Sequence, residues 1–169
     1  MIIRREKKED FNSIYEVNKQ AFKQKDESEL IQRIRAGNNF IPELSLVAEE
    51  NGKIIGHILF SKIKIIGKKE YESLALAPMA VLPEFQKHGI GGKLINDGLN
   101  KARELGFDSV IVLGHQDYYP RFGFERASKW NIKCPFEVPD EAFMAIELTV
   151  GNLAEKSGIV EYPKEFGIE

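Results

Sequence analysis

The sequence predicts an α/β (α+β) fold: one domain with a mixed, mostly antiparallel central sheet flanked by helices, and one parallel strand pair joined through a helix. Three observations predict it. Residues 44–50, 53–66 and 71–82 are strand-like stretches separated only by the short turns Asn51-Gly52 and Gly67-Lys68-Lys69, so they pair as antiparallel neighbours. From Ile90 onward, Ile90, Leu94, Ile95, Leu99, Ala102 and Leu105 recur at helical spacing. Asp108 to Leu113 is then a near-continuous apolar run, the mark of a central strand running parallel to the one before the helix.

Composition sets the bounds. A chain of 169 residues buries a substantial core without disulfides or metals. Its hydrophobic content of 43% and charged content of 30% are those of an ordinary globular protein. The net charge of -2 gives no reason to expect a nucleic-acid partner. No apolar run approaches the ~20 residues needed to cross a bilayer, and no signal-like segment begins the chain. The single cysteine, Cys134, excludes an intrachain disulfide and fits a reducing cytoplasm. His57, His88 and His115 lie far apart without metal-ligand spacing, so no metal site is expected.

In order, Met1 to Arg5 opens with a short strand. Asp10 can cap a helix that carries Phe11, Ile14, Tyr15, Asn18 and Phe22 on one face. A second helix is expected from Ser28 to Ala36, with Leu30, Ile31 and Ile34 inward and Gly37 as its stop. The three antiparallel strands follow. Lys62, Lys64, Lys68 and Lys69 read as a solvated sheet edge that discourages edge-to-edge pairing. After the helix at 89–105, Gly106 supplies a left-handed stop, and the parallel strand ends at Leu113. Glu125 to Lys133 and Ala142 to Val150 read as the last two strands, joined by a proline-bearing surface loop at 135–140. The main domain is placed at 1–150. Residues 151–169 form a C-terminal extension whose composition allows either a docked tail or partial disorder.

The chemistry is concentrated at residues 74–95. An apolar strand, a turn at Pro83 and a glycine-broken basic loop lead into a helix whose first turn lacks bulky side chains. Such a loop presents several backbone N–H groups in one direction, backed by the positive end of the helix dipole, and that geometry binds phosphate. Two familiar phosphate loops fail. A Walker A loop needs glycine at position 87 and Ser or Thr after Lys93, where the chain has Lys87 and Leu94. A Rossmann fingerprint starting at Gly89 needs a glycine where Leu94 stands. What remains is Gln86-Lys87-His88-Gly89-Ile90-Gly91, with Met79-Ala80-Val81-Leu82-Pro83-Glu84 in front. This resembles the Q/R-x-x-G-x-G/A pyrophosphate loop of the GNAT superfamily of acyl-CoA-dependent N-acetyltransferases, with its strand and Pro-Glu lead-in. A second stretch, Tyr118-Tyr119-Pro120-Arg121-Phe122-Gly123-Phe124, resembles the family's Tyr-x-x-x-Gly-Phe ending. The likeness covers residues 1–150 and looks closest to a small bacterial, YhbS-like branch.

The resemblance implies acetyl-CoA as the acyl donor. Its pyrophosphate would sit on N–H groups from Lys87 to Gly91, including His88, Gly89 and Ile90, with Gln86 as a side-chain contact. Met79, Ala80 and Val81 would pair their backbone with the pantetheine amides. Gly89 and Gly91 matter because a Cβ there would hold the phosphates away. Lys87 or His88 would add electrostatic attraction, less than ~1 kcal/mol each at an exposed loop. In the family the first two helices border the acceptor cleft, and the two parallel strands splay to admit the pantetheine arm. The reaction would be attack of a neutral amine on the thioester. With an alkyl amine pKa near ~10.4 a base must take its proton. Glu72 is conceivable in that role, as is a water chain, whereas Glu84 reads as a turn residue. Tyr119, with Tyr118 beside it, is the candidate general acid for the departing thiolate, a phenol near ~10 facing a thiol near ~8.5. Phe122 and Phe124 read as packing. Cys134 lacks a partner for nucleophilic catalysis and reads as structural. His115 stands close to the presumed site, where it orients a ligand or serves structure. The acceptor is a small-molecule or peptide amine of open identity, and dimerisation through the final strands is an expectation by analogy only. The alternative reading is a module that binds acyl-CoA without turnover.

Overall fold

A computed structural model describes residues 1–168. Among them are three α-helices and nine β-strands. The chain forms two compact units, one of residues 1–61 and 76–101, the other of residues 62–75 and 102–169. The fold class matches expectation: a mixed, mostly antiparallel strand arrangement with helices and one parallel pair around the long helix.

In the first unit β1 (Ile2–Arg5) pairs antiparallel with β2 (Phe40–Glu50), which pairs antiparallel with the leading part of β3 (Lys53–Ile66). Helices α1 (Phe11–Phe22) and α2 (Asp26–Ala36) form an α-hairpin before β2. Side chains alternate along β3, so His57 and Leu59 look one way while Gly56, Ile58 and Phe60 look the other. His57 meets Asn18 of α1 on its side. On the opposite side lies α3 (Ile90–Glu104): a Cβ at Gly98 would overlap the Phe60 ring, and one at Gly56 would press on Leu94, Ile90 and the Ala80 carbonyl. These two glycines let α3 lie close against β3. The buried Ile90, Leu94, Ile95, Leu99 and Ala102 are the helical stripe the sequence shows, whereas Leu105 lies past the helix end and is 38% exposed.

Asp10 differs from its expected role. It precedes α1, yet its carboxylate caps a preceding 3-10 turn instead: Oδ2 accepts the Lys7 N–H at 2.7 Å and pairs with Arg4. The Arg4 guanidinium holds the Asp10 carboxyl below its ordinary range. Helix α2 begins two residues before Ser28, which is buried and donates its hydroxyl to the Tyr15 carbonyl at 2.7 Å. Phe22, the last residue of α1, is 37% exposed, beyond the reach of the packed face.

A polar chain runs through the core between α1, α2 and the strands. The Asn18 amide donates to the Ile14 carbonyl and stands 3.5 Å from His57 Nδ1. That leaves Nε2 of His57 as the protonated nitrogen, 3.0 Å from Ser45 Oγ, whose own hydroxyl donates to Glu6. Arg35 closes the chain with two 3.0 Å bonds to the Glu6 carboxylate and stacks on Phe11. His57 is fully buried, and desolvation first, Arg35 second, pull its pKa down to about 3.

In the second unit β4 (Glu70–Val81), through its first residues, pairs parallel with β5 (Ser109–Leu113) at Leu74↔Val110 and Ala75↔Ile111. Strand β5 pairs antiparallel with β8 (Phe143–Glu147), which also carries the short β6 (Glu125–Arg126). The long strand expected over 125–133 is not continuous. A 3-10 turn at Ala127–Trp130 and a left-handed Asn131 separate β6 from β7 (Ile132–Lys133). Ala, Ser, Lys and Asn have little to gain in a strand, and the turn buries Ala127 instead.

The lysine-rich end of β3 is no edge. Lys64, Ile65 and Ile66 pair antiparallel with β9 (Gly158–Glu161), which pairs parallel with β7 on its other side. Lys64 also pairs with Glu70 at 3.2 Å. The C-terminal segment is docked, and its Leu153 and Val160 are buried with Ile63, Ile65, Ile132 and Phe143.

Candidate functional site

The nine residues expected to hold a cofactor, Met79, Ala80, Val81, Gln86, Lys87, His88, Gly89, Ile90 and Gly91, all lie in the first unit. Tyr119 lies in the second. Each half has its own geometry.

In the first half, Ala80 and Val81 at the end of β4 are buried and Met79 is half-buried. A 3-10 turn at Pro83–Phe85 leads from the strand into the loop. Two left-handed positions bracket His88: Lys87 at φ 66° and Gly89 at φ 81°. For lysine that conformation is uncommon and costs roughly 1–2 kcal/mol. It turns the backbone so that α3 starts at Ile90. The first bond of the helix runs from the Lys93 N–H to the Gly89 carbonyl at 3.2 Å, leaving the N–H groups of Ile90, Gly91 and Gly92 ahead of the ladder. A Cβ on Gly89 would meet nothing within 4 Å, so the loop borders open space at that position. No acidic residue stands in the first turn of α3, and Lys93 there is exposed. The loop therefore offers an anion a set of aimed N–H groups in a positive field.

Two side chains of the loop act on the loop itself. Gln86 Nε2 donates to the Val81 carbonyl at 3.0 Å, tying the loop to the last residue of β4. His88 Nδ1 stands 3.2 Å from the Phe85 carbonyl. Glu84 is exposed and 3.6 Å from Lys53, as a turn residue would be. Beside the loop a cleft of about 440 Å3 is lined by Phe85, His88, Ile90 and Lys93 with Met1, Glu50 and Glu84. Among the described residues no group of three or more His, Cys, Asp or Glu is arranged to hold a metal ion, and no helix is long and apolar enough to cross a membrane.

In the second half, Tyr119 begins a 3-10 helix of residues Tyr119–Phe122 that ends at a left-handed Gly123. The His115 carbonyl accepts the N–H groups of Tyr118 and Tyr119 at 3.1 and 3.4 Å, so His115 contributes its backbone to this turn. The Tyr119 ring meets Tyr118 edge-on at 5.2 Å and Phe124 at 5.6 Å between centroids. Phe122 packs on Tyr118, and Phe124 is buried, as packing residues should be. Burial, helped by the neighbouring Tyr118, pushes the Tyr119 phenol up to about 12. Its hydroxyl has no hydrogen-bond partner among the described residues. Glu72 is exposed on β4. Cys134 is half-buried, and burial pushes its thiol up, away from thiolate chemistry.

The glycines at 56, 98 and 114 were not singled out by sequence reasoning, although Gly56 and Gly98 interrupt a strand and a helix pattern and Gly114 directly follows the strand that ends at Leu113. Glycine inside a strand or helix pattern is the general signal of close approach.

Comparison with known proteins adds an independent line. The sequence profile of the acetyltransferase (GNAT) family matches residues 9–124. The chain is 40% identical over 136 residues to the N-acetyltransferase YjhQ of Escherichia coli K12, covering 79% of this chain and 75% of that one. It is 30% identical over 167 residues to the N-acetyltransferase YhbS of the same strain, covering 98% of each. The crystal structure of Escherichia coli YhbS in complex with CoA superposes with a TM-score of 0.92 at 28% identity, covering 99% of this chain and 92% of that one. A GNAT family acetyltransferase from Brucella melitensis in complex with acetyl-CoA gives 0.80 at 34%, covering 98% and 97%.

Proposed function

We propose that this chain, which belongs to the acetyltransferase (GNAT) family, transfers the acetyl group of acetyl-CoA to an amine by direct attack of the amine on the thioester. One observation carries the reading of the donor site: the left-handed turn at Lys87 and Gly89 that opens α3 with the N–H groups of Ile90, Gly91 and Gly92 ahead of its first helical bond, beside open space at Gly89. Those groups would hold the pyrophosphate of CoA. Gln86, whose Nε2 ties the loop to β4 through the Val81 carbonyl, would add a side-chain contact to the same pyrophosphate. The backbone of Met79, Ala80 and Val81 would pair with the pantetheine amides.

In the reaction the amine nitrogen forms a bond to the thioester carbon and loses a proton, and the carbon–sulfur bond breaks to give the acetylated amine and CoA thiolate. Tyr119 is the group we assign to the leaving sulfur. With its pKa near 12 the phenol stays protonated at neutral pH. Complete transfer to a thiolate whose conjugate acid lies near ~8.5 is uphill. Tyr119 therefore acts as a hydrogen-bond donor that stabilises charge on sulfur, while the net proton released by the amine ends on the thiol. The base that accepts the amine proton is Glu72 or a water chain in this reading. The acceptor is a small-molecule or peptide amine. A cytoplasmic setting belongs to the same proposal, supported by the free, half-buried Cys134 thiol. No specific observation favours a binding module without turnover.

The test is calorimetric titration with acetyl-CoA, CoA and ATP, followed by an amine panel read by thiol release. Saturable binding of both CoA species with ATP much weaker is the expected result. Absence of binding to either one overturns the donor-site assignment.

A further inference from the structure

The Tyr119 ring rests on a position that has no side chain. Gly114 directly follows β5, and its N–H donates to the Ala142 carbonyl at 2.9 Å, one step beyond the Leu113↔Phe143 pair that ends the β5–β8 ladder. A Cβ placed at Gly114 would run into Cε2 of the Tyr119 ring, with Cδ2 3.0 Å and Cζ 3.4 Å away. Gly114 is not among the glycines with positive φ. An L-residue is therefore acceptable to the backbone at this position, and the ring alone excludes it. The ring has little room to retreat. Phe124, 2% exposed, stands at its edge, Tyr118 flanks it, and its own N–H is bonded to the His115 carbonyl.

We propose that Gly114 is a positioning residue for the transfer reaction: its bare Cα is the seat of the Tyr119 ring and fixes where the phenol hydroxyl stands. The proposal rests on the reading of Tyr119 as donor to the departing sulfur. A hydrogen bond to developing charge depends steeply on placement, and a misplacement of about 1 Å can cost about 100-fold in rate. A methyl group at Gly114 must either tilt the ring or open the Gly114–Ala142 bond. Tilting the ring moves the hydroxyl at the far end of the lever most of all.

The experiment is a double-mutant cycle read in two ways, by kcat with acetyl-CoA and by thermal unfolding, with calorimetry to follow acetyl-CoA affinity. G114A should lower kcat about 10- to 100-fold while the acetyl-CoA Kd stays within about threefold. In the Tyr119→Phe background, where the ring remains but the hydroxyl is gone, G114A should still lower the melting temperature yet cost no further activity. In the Tyr119→Ala background it should cost neither. Full activity of G114A, or an equal loss of kcat with and without the Tyr119 hydroxyl, overturns the proposal. Should G114A alone fail to fold, the double variant with Tyr119→Ala must fold, or the seat is wrong. Should Tyr119→Phe alone keep full activity, the donor reading falls and the positioning role with it, whereas the melting-temperature cycle still decides whether Gly114 seats the ring.

Discussion

At the scale of single residues, Tyr119 and His57 show burial acting on a titratable group in two directions. Burial raises the Tyr119 phenol and keeps it a donor. Tyr119→Phe should therefore lower kcat by about 10- to 100-fold, as loss of one hydrogen-bond donor to developing charge does, with acetyl-CoA affinity unchanged. Thiol-release kinetics beside calorimetry check this, and a variant with unaltered kcat removes Tyr119 from the mechanism. His57 is pulled down to about 3, below the ordinary value of 6.5. An unfolded chain takes up a proton on this ring as pH falls below 6.5, and the folded chain refuses it until about pH 3. Stability linked to His57 is thus fully present above pH 6.5 and lost progressively toward pH 3, at most ~1.4 kcal/mol per pH unit. His57→Gln should flatten that slope in urea unfolding at pH 7, 6, 5 and 4; a slope as steep as that of the unmutated chain counts against the assignment. Tyr119 was legible because it sits at a fixed offset from Gly123-Phe124. The chain Asn18–His57–Ser45–Glu6–Arg35 was not, because it joins residues from five separate stretches whose meeting depends on sheet register and helix docking. Periodicity placed Asn18 on the inward face of α1 but supplied no partner for it.

At the scale of elements, the passage from β4 through the loop into α3 read clearly in the sequence, since a buried strand, a glycine-broken loop and a 3.6-residue stripe are all local patterns. What stayed hidden was the division of labour in the loop. Gln86 and His88 carry polar groups suited to phosphate, yet both also engage loop or strand carbonyls. If backbone N–H groups hold the anion, Lys87→Gly removes a charge while keeping the left-handed turn. Its CoA affinity should then fall less than about fivefold, since an exposed charge contributes under ~1 kcal/mol. Gly89→Val forces a β-branched residue to φ 81° and puts a Cβ into the open space the loop borders at that position. It should weaken CoA binding at least tenfold while the chain remains folded, and calorimetry with a thermal melt decides both points. A larger loss for Lys87→Gly than for Gly89→Val would mean that the side chain, not the backbone, holds the ligand. Elements lacking a strong local pattern were misread. The stretch over 125–133 has the length of a strand but breaks at Ala127, and the lysines of β3 imitate an edge that β9 covers from nearly 100 residues away in sequence.

At the scale of the whole molecule, the C-terminal segment decides whether the second unit can stand without it. Composition left a docked tail and partial disorder equally open, because glycine, proline and charged residues punctuate residues 150–169 and the apolar ones occur there only singly or in pairs. Those few positions are placed to count. Leu153 and Val160 are 1% exposed and belong to the core of the second unit, and Tyr162 and Phe166 pack against it. Strand β9 supplies hydrogen bonds to both β3 and β7. Full burial of an aliphatic side chain contributes about 1.5–3 kcal/mol, so Leu153 and Val160 together represent about 3–6 kcal/mol before any strand pairing is considered. A domain's entire stability is about 5–15 kcal/mol. Ending the chain at Val150 also uncovers Ile63, Ile65 and Ile132, which are buried beside these two residues. The truncated chain should therefore melt at least about 10 °C lower or fail to fold, and amide exchange should rise first in β7, β8 and the end of β3. A truncation that melts within 2 °C or so of the full chain would make residues 151–169 an appendage, and the core of the second unit would have to close without them.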